Sequence, residues 1–549
     1  MVAGADWWRG AVLYQVYPRS FADSNGDGIG DLPGIERHLD HIAALGVDAI
    51  WICPFYASPG RDFGYDVSDH LAVDPQFGTL EDFDRLLAAA HARGLKLLVD
   101  LVGGHTSDQH PWFRRSRTGH AAPEADWYVW ADPSPDGTPP NNWLSVFGGS
   151  AWTWEPRRRQ YYLHHFLSTQ PSLNLHNPAA LDALLAVGEF WLKRGVDGFR
   201  LDAVDFLAHD PALRPNPARP FSGPTPAKLF GLQTHQHDML QPGIDHVLAR
   251  IRALTDRYPG TTTLGEVSSQ DGAFDRVRRY SSGDRHLHMA YTLRPLRGGF
   301  DHAIASALLA EADGRAEGEG WPCWSFSNHD VERAVTRWNP AGRDASPDPR
   351  FARLLVALLL SMRGSLCLYQ GEELGLPEAE LTLEQIRDPF GLTYWPEFRG
   401  RDGSRTPMPW QAEAPEAGFT TGTPWLPVPA PHRGLAVDRQ NDDATSLLAL
   451  WRQALTFRRS HPALVRGGQQ RLDLPAPLLG LVRDYAGQRI VALFNLSDTP
   501  QRCALNAEAG LGPDFGGTVD NGYAELPAYG ALFATLETAE VTIRKSEKV

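Results

Sequence analysis

Cysteine is scarce: four occur in 549 residues. Cys53, Cys323, Cys367 and Cys503 are scattered, three in apolar surroundings and one in a polar one. That excludes a disulfide framework and points to a reduced, cytoplasmic chain with packed thiols. Positive charge is in deficit, with 52 Lys and Arg against 66 Asp and Glu and a net charge of −14. A uniformly acidic chain is repelled by phosphate backbones and anionic lipid, so nucleic acid and membrane are poor partners, and a neutral substrate fits at least as well. No apolar run reaches the length of a membrane span, and residues 1–9 lack the basic start and apolar stretch of a signal peptide. A phosphate-binding Gly-rich loop is missing. Ser20 and Ser404 have no nucleophile-elbow setting. His164 with His165, and His235 with His237, lack zinc-type spacing with a third ligand. No organic cofactor is expected, and the assembly is expected to be a monomer or homodimer.

What the chain does have is an alternation of helix and strand signals. Residues 81–93 place Phe83, Leu86, Leu87 and Ala90 at helical spacing behind Thr79, with Asp82 three positions on. Gly94 closes that helix and an apolar run, 95–100, follows. The same order recurs with Leu181, Leu184, Leu185, Trp191 and Leu192 before 196–202, and with Ile244, Leu248, Ile251 and Leu254 before 261–266. Further strand candidates are 11–17, 47–53, 288–293, 321–328 and 365–370. Eight buried strands interleaved with helices predict an α/β fold with a closed parallel (β/α)8 barrel.

Two stretches break the rhythm. Residues 104–170, rich in Trp, Pro, Asp and Asn, are too long for a bare loop and are expected to form an inserted domain over the barrel mouth. From about residue 460 the runs become short and alternating, which predicts a C-terminal antiparallel β domain over 460–549. The barrel is then expected to comprise 1–103 and 171–459. The 17 tryptophans suit either large core positions or platforms for sugar rings.

The acidic residues carry the chemistry. Asp100, Asp202, Glu266 and Asp330 each fall at or just past the C-terminal end of an expected strand. Barrel active sites are built from those ends, so the four converge on one pocket. A charge ending a buried strand is costly without purpose. Each alone could be an N-cap or the partner of a nearby Arg, but together they form the paired carboxylates that glycosidic cleavage needs.

The segments 100–105 (DLVGGH), 198–204 (GFRLDAV), 265–267 (GEV) and 327–330 (SNHD) resemble the four signatures of the α-amylase superfamily, glycoside hydrolase family 13. QPSLN at 170–174 is similar to the segment closing the inserted domain B in its α-glucosidase and oligo-1,6-glucosidase branch. AVLYQVYPRSFADSNGDGIGDLPGI at the start and GRDGSRTPMPW (400–410) extend the resemblance over essentially the whole chain. It implies Asp202 as nucleophile, Glu266 as general acid/base and Asp330 as the carboxylate holding the distorted sugar's hydroxyls. It also implies that Arg200 keeps Asp202 ionised, that His105 and His329 hydrogen-bond the glucose, and that Tyr65 stacks beneath its ring. Phe166 would wall the pocket, and Asp62 with Arg401 would grip the non-reducing end, making the enzyme exo-acting. Ala203, directly after the nucleophile, stands where relatives that cleave α-1,6 bonds usually carry Val, so α-1,4-linked disaccharides such as maltose are the expected substrates. The Pro-rich loop 211–226 would wall the second sugar.

Gly104 replaces the Asn that in many amylases binds a calcium beside domain B, so that ion is not expected. A different one is. DSNGDGIGD (23–31) sets oxygen ligands at alternate positions around glycine turns, as hard cations require, although the Glu of a full EF-hand loop is replaced by Gly34. By resemblance Asp23, Asn25, Asp27, the Ile29 carbonyl and Asp31 would hold structural calcium or magnesium. The plain alternative is a turn-rich loop. Two rival functions fit the same residues. A glucosyltransferase, sugar isomerase or other sucrose-acting enzyme would use the same first half-reaction. Non-catalytic transporter subunits of this fold carry a membrane span and degraded catalytic residues, and this sequence has neither.

Overall fold

The strand signals resolve into one parallel sheet: β1 (Val12–Val16), β2 (Ala49–Ile52), β3 (Lys96–Leu101), β4 (Gly198–Leu201), β5 (Thr262–Val267), β6 (Met289–Thr292), β7 (Cys323–Trp324) and β8 (Ser365–Tyr369). These come from a computed structural model describing residues 4, 6–220, 226–269, 271–314, 319–505, 507 and 510–536. Hydrogen-bonded order runs β6-β5-β4-β3-β2-β1-β8-β7. A parallel bridge between Ala290 and Pro322 joins the two ends and closes the (β/α)8 barrel.

The two-residue period of a strand decides what faces inward. Leu13, Ala49, Trp51, Leu98, Leu264, Met289, Tyr291, Cys323, Cys367 and Tyr369 pack together inside the barrel. Their neighbours Tyr14, Ile50, Val99, Phe199, Val267 and Leu368 face outward, into the layer shared with the helices. All four cysteines are buried and free. Among the described residues no helix is long and apolar enough to cross a membrane.

The helix Leu80–Ala92 starts at Thr79, whose side chain and that of Asp82 form a reciprocal capping box, and it buries Phe83, Leu86, Leu87 and Ala90. The helix Pro178–Arg194 starts at Asn177 and stops at Gly195, whose φ of 105° suits glycine. Each fully buried large apolar side chain on such a face contributes roughly 1.5–3 kcal/mol.

Between β3 and the helix Pro178–Arg194 lies a three-stranded antiparallel sheet ordered Trp130–Ala131, Gln160–Leu163, Trp152–Glu155. After the helix Leu447–Ser460 come a five-stranded sheet (Gly468–Arg471, Leu478–Tyr485, Gln488–Asn495, Ala531–Thr535, Gly510–Leu511) and a three-stranded one (Gln501–Ala504, Tyr523–Leu526, Thr518–Asp520). Residues 537–549 of the expected C-terminal domain and 221–225 of the Pro-rich loop lie outside the described residues.

The expected seventh strand, 321–328, is corrected. Regular pairing covers only Cys323–Trp324. Beyond it Ser325 donates to the Ser327 carbonyl at 2.6 Å, and Ser327 Oγ accepts from Ala334 N. Such local bonds compete with a ladder, so Asp330 reaches the barrel mouth from a loop and not from a strand end.

Candidate active site

Strand alternation puts Asp100, Arg200, Asp202 and Glu266 on the inner surface near the C-terminal ends of β3, β4 and β5. Arg200 is completely buried and lies at the centre. Its Nη1 donates to Asp100 Oδ1 at 2.5 Å and to Asp202 Oδ1 at 2.7 Å, and its Nη2 contacts Glu266 Oε2. A guanidinium removed from water costs several kcal/mol unless paired, so the three carboxylates and this cation require one another. Tyr291 accepts from Arg200 at 2.9 Å and donates to Glu266 Oε2 at 3.1 Å, while Ser268 donates to Glu266 Oε1 at 2.9 Å. Trp51 Nε1 donates to Asp100 at 2.7 Å. Burial, aided by the neighbouring charge of Asp202 and opposed by Arg200, pushes the Asp100 carboxyl up to about 7.

Arg401 organises the opposite end of the pocket. It donates to Asp62 and to Asp388 at 2.8 Å each and to Asp330 at 3.2 Å. Asp388 also accepts from Arg401 N and Nε, a close multi-point clamp. Arg405 reaches Asp330 Oδ1 at 2.9 Å. Burial would raise the Asp330 carboxyl, but His329 and the guanidiniums of Arg401, Arg405 and Arg200 pull it well below the usual range. The arginines carry that effect, because burial drives the His329 imidazole down to about 3 and leaves it neutral. Gln15 Nε2 sits 2.7 Å from His329 Nδ1, which leaves Nε2 as the N–H. That Nε2 has only Asp330 Oδ2 near it, at 3.5 Å, and the Tyr65 hydroxyl is buried without a hydrogen-bond partner. Unpaired polar atoms of this kind cost free energy unless a ligand meets them. Tyr65 stacks on His329 with ring centroids 5.3 Å apart. Gln170 Nε2 donates to Asp62 at 3.0 Å, and His105 Nε2 lies 3.0 Å from the Tyr65 carbonyl.

Aromatic side chains complete the wall. Phe166 packs against His105 at 5.0 Å and Phe206 at 5.2 Å. Ala203 joins Phe206, Met239 and Phe166 in one cluster. Its backbone is left-handed, with φ 39° and ψ 56°, a conformation disfavoured for any side chain. The contacts thus link Asp202, Glu266, Asp330, Asp62, Tyr65, His105, Phe166, Arg200, Ala203, His329 and Arg401 into one contiguous cluster at the barrel mouth.

The cation loop lies apart from that pocket. Asn25 N bonds Asp23 Oδ1, Asp27 N bonds Asn25 Oδ1, and Ile29 N bonds Asp27 Oδ1, an every-second-residue run of side-chain turns. All its donors are hard oxygens, which suits calcium or magnesium. Asp31 turns instead to cap the helix Leu32–Arg37 and to accept from Ser24. Among the described residues no three His, Cys, Asp or Glu side chains converge as a metal-binding group.

Several pocket residues escape sequence reasoning. Asp388 before Pro389 reads only as the cap of the helix Pro389–Tyr394, and only the structure shows that it also clamps Arg401. Gln15 is a polar residue inside an apolar strand, a signal legible in the sequence. Arg405 lies within the quoted 400–410 segment. Lys228 places its ammonium 3.5 Å from the centre of the Phe398 ring and 4.2 Å from that of Phe390, which packs on Phe147.

Known proteins share this arrangement. The family described as alpha amylase, catalytic domain, matches residues 15–467. The "Probable alpha-glucosidase" of Rhizobium meliloti is 50% identical over 539 residues, 97% of each chain. The oligo-1,6-glucosidase of Heyndrickxia coagulans is 36% identical over 535 residues, covering 90% of this chain and 92% of the relative. The crystal structure of the alpha-glucosyl transfer enzyme XgtA superposes with a TM-score of 0.91 at 52% identity, covering 96% of this chain and 99% of that one. The chain belongs to the α-amylase family of glycoside hydrolases.

Proposed function

We propose that this enzyme is an exo-acting, retaining α-glucosidase that removes terminal glucose from short α-linked sugars, α-1,4-linked disaccharides such as maltose first among them. The observation that carries this reading is the single Arg200 guanidinium touching both Asp202 and Glu266. One cation reaching both carboxylates draws them toward the ~5–5.5 Å of a retaining pair and away from the ~6.5–9.5 Å of an inverting one. Asp202, ion-paired, attacks the anomeric carbon while Glu266 gives its proton to the departing glycosidic oxygen. Glu266 then takes a proton from water, which attacks the glucosyl-enzyme and frees Asp202. Asp330, held ionised and aimed by Arg401 and Arg405, binds sugar hydroxyls as the ring flattens. The Asp62–Arg401 pair closes the far end of the pocket, so no further sugar fits beyond the terminal one.

A second reading has support of its own. The name of XgtA says that it transfers glucosyl groups, and the glucosyl-enzyme on Asp202 serves transfer to an acceptor sugar as well as hydrolysis. We further assign the 23–31 loop to a structural calcium or magnesium, on its hard-oxygen donors. The four free thiols favour a cytoplasmic setting.

Incubation with maltose, isomaltose, trehalose and sucrose, with products resolved by chromatography, tests linkage and the balance of hydrolysis and transfer together. The expected result is glucose from maltose as the main product. Asp202→Asn should abolish turnover and keep binding. Glu266→Gln should slow maltose far more than an activated aryl glucoside, whose leaving group needs little protonation. Equal slowing of both substrates would remove Glu266 from its role.

A further inference from the structure

An open cavity of about 770 Å³ has a lining that includes Arg61, Phe63, Thr169, Arg387, Pro389 and Trp425. Three wall residues are flanked in the chain by cavity residues: Asp62 by Arg61 and Phe63, Gln170 by Thr169, and Asp388 by Arg387 and Pro389. The same segments therefore face the active site with one residue and this cavity with the next. Phe63 shows how that division is enforced. Its φ of 50° is left-handed, which is unfavourable for a bulky side chain. The twist sends Asp62 and Tyr65 to the glucose pocket and the Phe63 ring to the other side. Backbone strain of this sort persists where the surrounding structure over-determines it and clusters at ligand sites.

The chemistry of the lining is specific. Phe63 and Trp425 form an aromatic floor, with ring centroids 5.4 Å apart. Arg19 lies within 5.6 Å of both ring centres, and Arg405 within 5.8 Å of Phe63. At the rim the guanidiniums of Arg61 and Arg387 have no carboxylate partner among the described residues, although the chain carries a net charge of −14. Arginines that line one cavity without a carboxylate partner, Arg387 bonding only the Glu384 carbonyl at 3.1 Å, are forks for an oxyanion, and aromatic faces offer a stacking platform for the apolar side of a sugar ring. The Thr169 hydroxyl, shielded and without a partner, adds a polar contact.

We propose that this cavity is a second ligand site, separate from the catalytic pocket, and that it takes a phosphorylated monosaccharide: ring on Phe63 and Trp425, phosphate between Arg61 and Arg387. Because the two sites share the Asp62–Gln170–Asp388 wall, the enzyme has a place where a charged sugar can sit while the catalytic pocket is filled.

Calorimetric titration of the full-length enzyme, with its catalytic pocket saturated by a glucose-shaped inhibitor, tests this directly. The probes are hexose 6-phosphate, inorganic phosphate and glucose. Hexose 6-phosphate should bind, and more tightly than either fragment. The double variant Arg61→Ala/Arg387→Ala should weaken it by about tenfold or more, the order expected from two lost charge-assisted contacts. Both arginines are exposed and lack ion-pair partners, so the variant is expected to keep the wild-type thermal midpoint; Arg61→Gln/Arg387→Gln serves if it does not. No binding to the inhibitor-filled enzyme, or binding unchanged in both double variants, would overturn the proposal. Phosphate alone binding as tightly as the hexose phosphate would overturn the sugar platform, and glucose doing so would overturn the anion assignment.

Discussion

Asp62 and Arg401 stand 339 positions apart in the chain and meet at 2.8 Å with both side chains buried. The contact joins the loop after β2 to the long excursion after β8. The same guanidinium also serves Asp388 and Asp330, so one cation ties three carboxylates together, and in the proposed mechanism it would both stop the pocket and brace Asp330.

Arg401→Lys should therefore be a severe change despite keeping the charge. A lysine ammonium cannot present a planar fork to three carboxylates, and leaving a buried partner uncompensated costs about 3–5 kcal/mol. Steady-state kinetics on maltose should show kcat/KM lowered by roughly two to three orders of magnitude, with KM raised because the grip on terminal glucose is lost. A KM within about twofold of wild type would mean that the pair does not hold substrate.

Acid stability follows from the same cluster. Burial would raise the Asp388 carboxyl, yet Arg401, by charge and hydrogen bonds, brings it down to about 2 from its ordinary 3.8. A carboxyl depressed in the folded state stabilises above its unfolded pKa and loses that contribution as pH falls through the folded value. The window is about pH 4 down to 2, and the contribution is roughly 2 kcal/mol. Thermal midpoints at pH 6 and pH 3 should show Asp388→Asn well below wild type at the higher pH and closer to it at the lower. A constant gap at both values would rule out this pairing as its source.

Metal removal separates a structural from a catalytic ion. The 23–31 loop lies apart from the carboxylates around Arg200, and its Asp23 is tied to Thr420. Chelation should lower the thermal midpoint, since binding only the native state adds stability by mass action. Turnover of the enzyme still folded should stay intact, and added calcium or magnesium should restore the midpoint. Immediate loss of activity without a change in melting would make the ion catalytic.

The barrel was legible in the sequence because each of its devices is local. Thr79 with Asp82 announces a helix start, Gly195 a stop, and two-residue alternation puts Glu266 inside. The short seventh strand was not legible, because Ser325 and Ser327 decide it through hydrogen bonds that an apolar run such as 321–328 conceals. Asp388 could not be read either. Asp before Pro389 announces only a helix cap; its clamp on Arg401 exists because chain folding brings the two together. Asp330 lay between these cases: its motif was visible, while the loop that delivers it was not.

The proposed α-1,4 preference depends on Ala203, and the structure sharpens what a substitution there would do. The residue directly follows Asp202, is buried beside Phe166, Phe206 and Met239, and holds φ at 39°. A small side chain leaves room for a leaving sugar attached through a ring hydroxyl, whereas an α-1,6 bond carries a flexible methylene and tolerates a bulkier neighbour. Maltose should therefore be cleaved faster than isomaltose. Ala203→Val should move the ratio toward isomaltose by roughly ten- to a hundredfold, the worth of a pocket contact of about 1–3 kcal/mol. The left-handed backbone adds a second consequence. A β-branched side chain fits that conformation worse than Ala, so the variant should also melt lower, by an amount matching about 1–3 kcal/mol of strain. Ala203→Ser keeps the side chain small and unbranched, so it should stay near wild type in both ratio and midpoint. If wild type prefers isomaltose, the α-1,4 assignment fails. If Ala203→Val lowers the midpoint but leaves the ratio unchanged, this position shapes the backbone after the nucleophile and does not read the linkage.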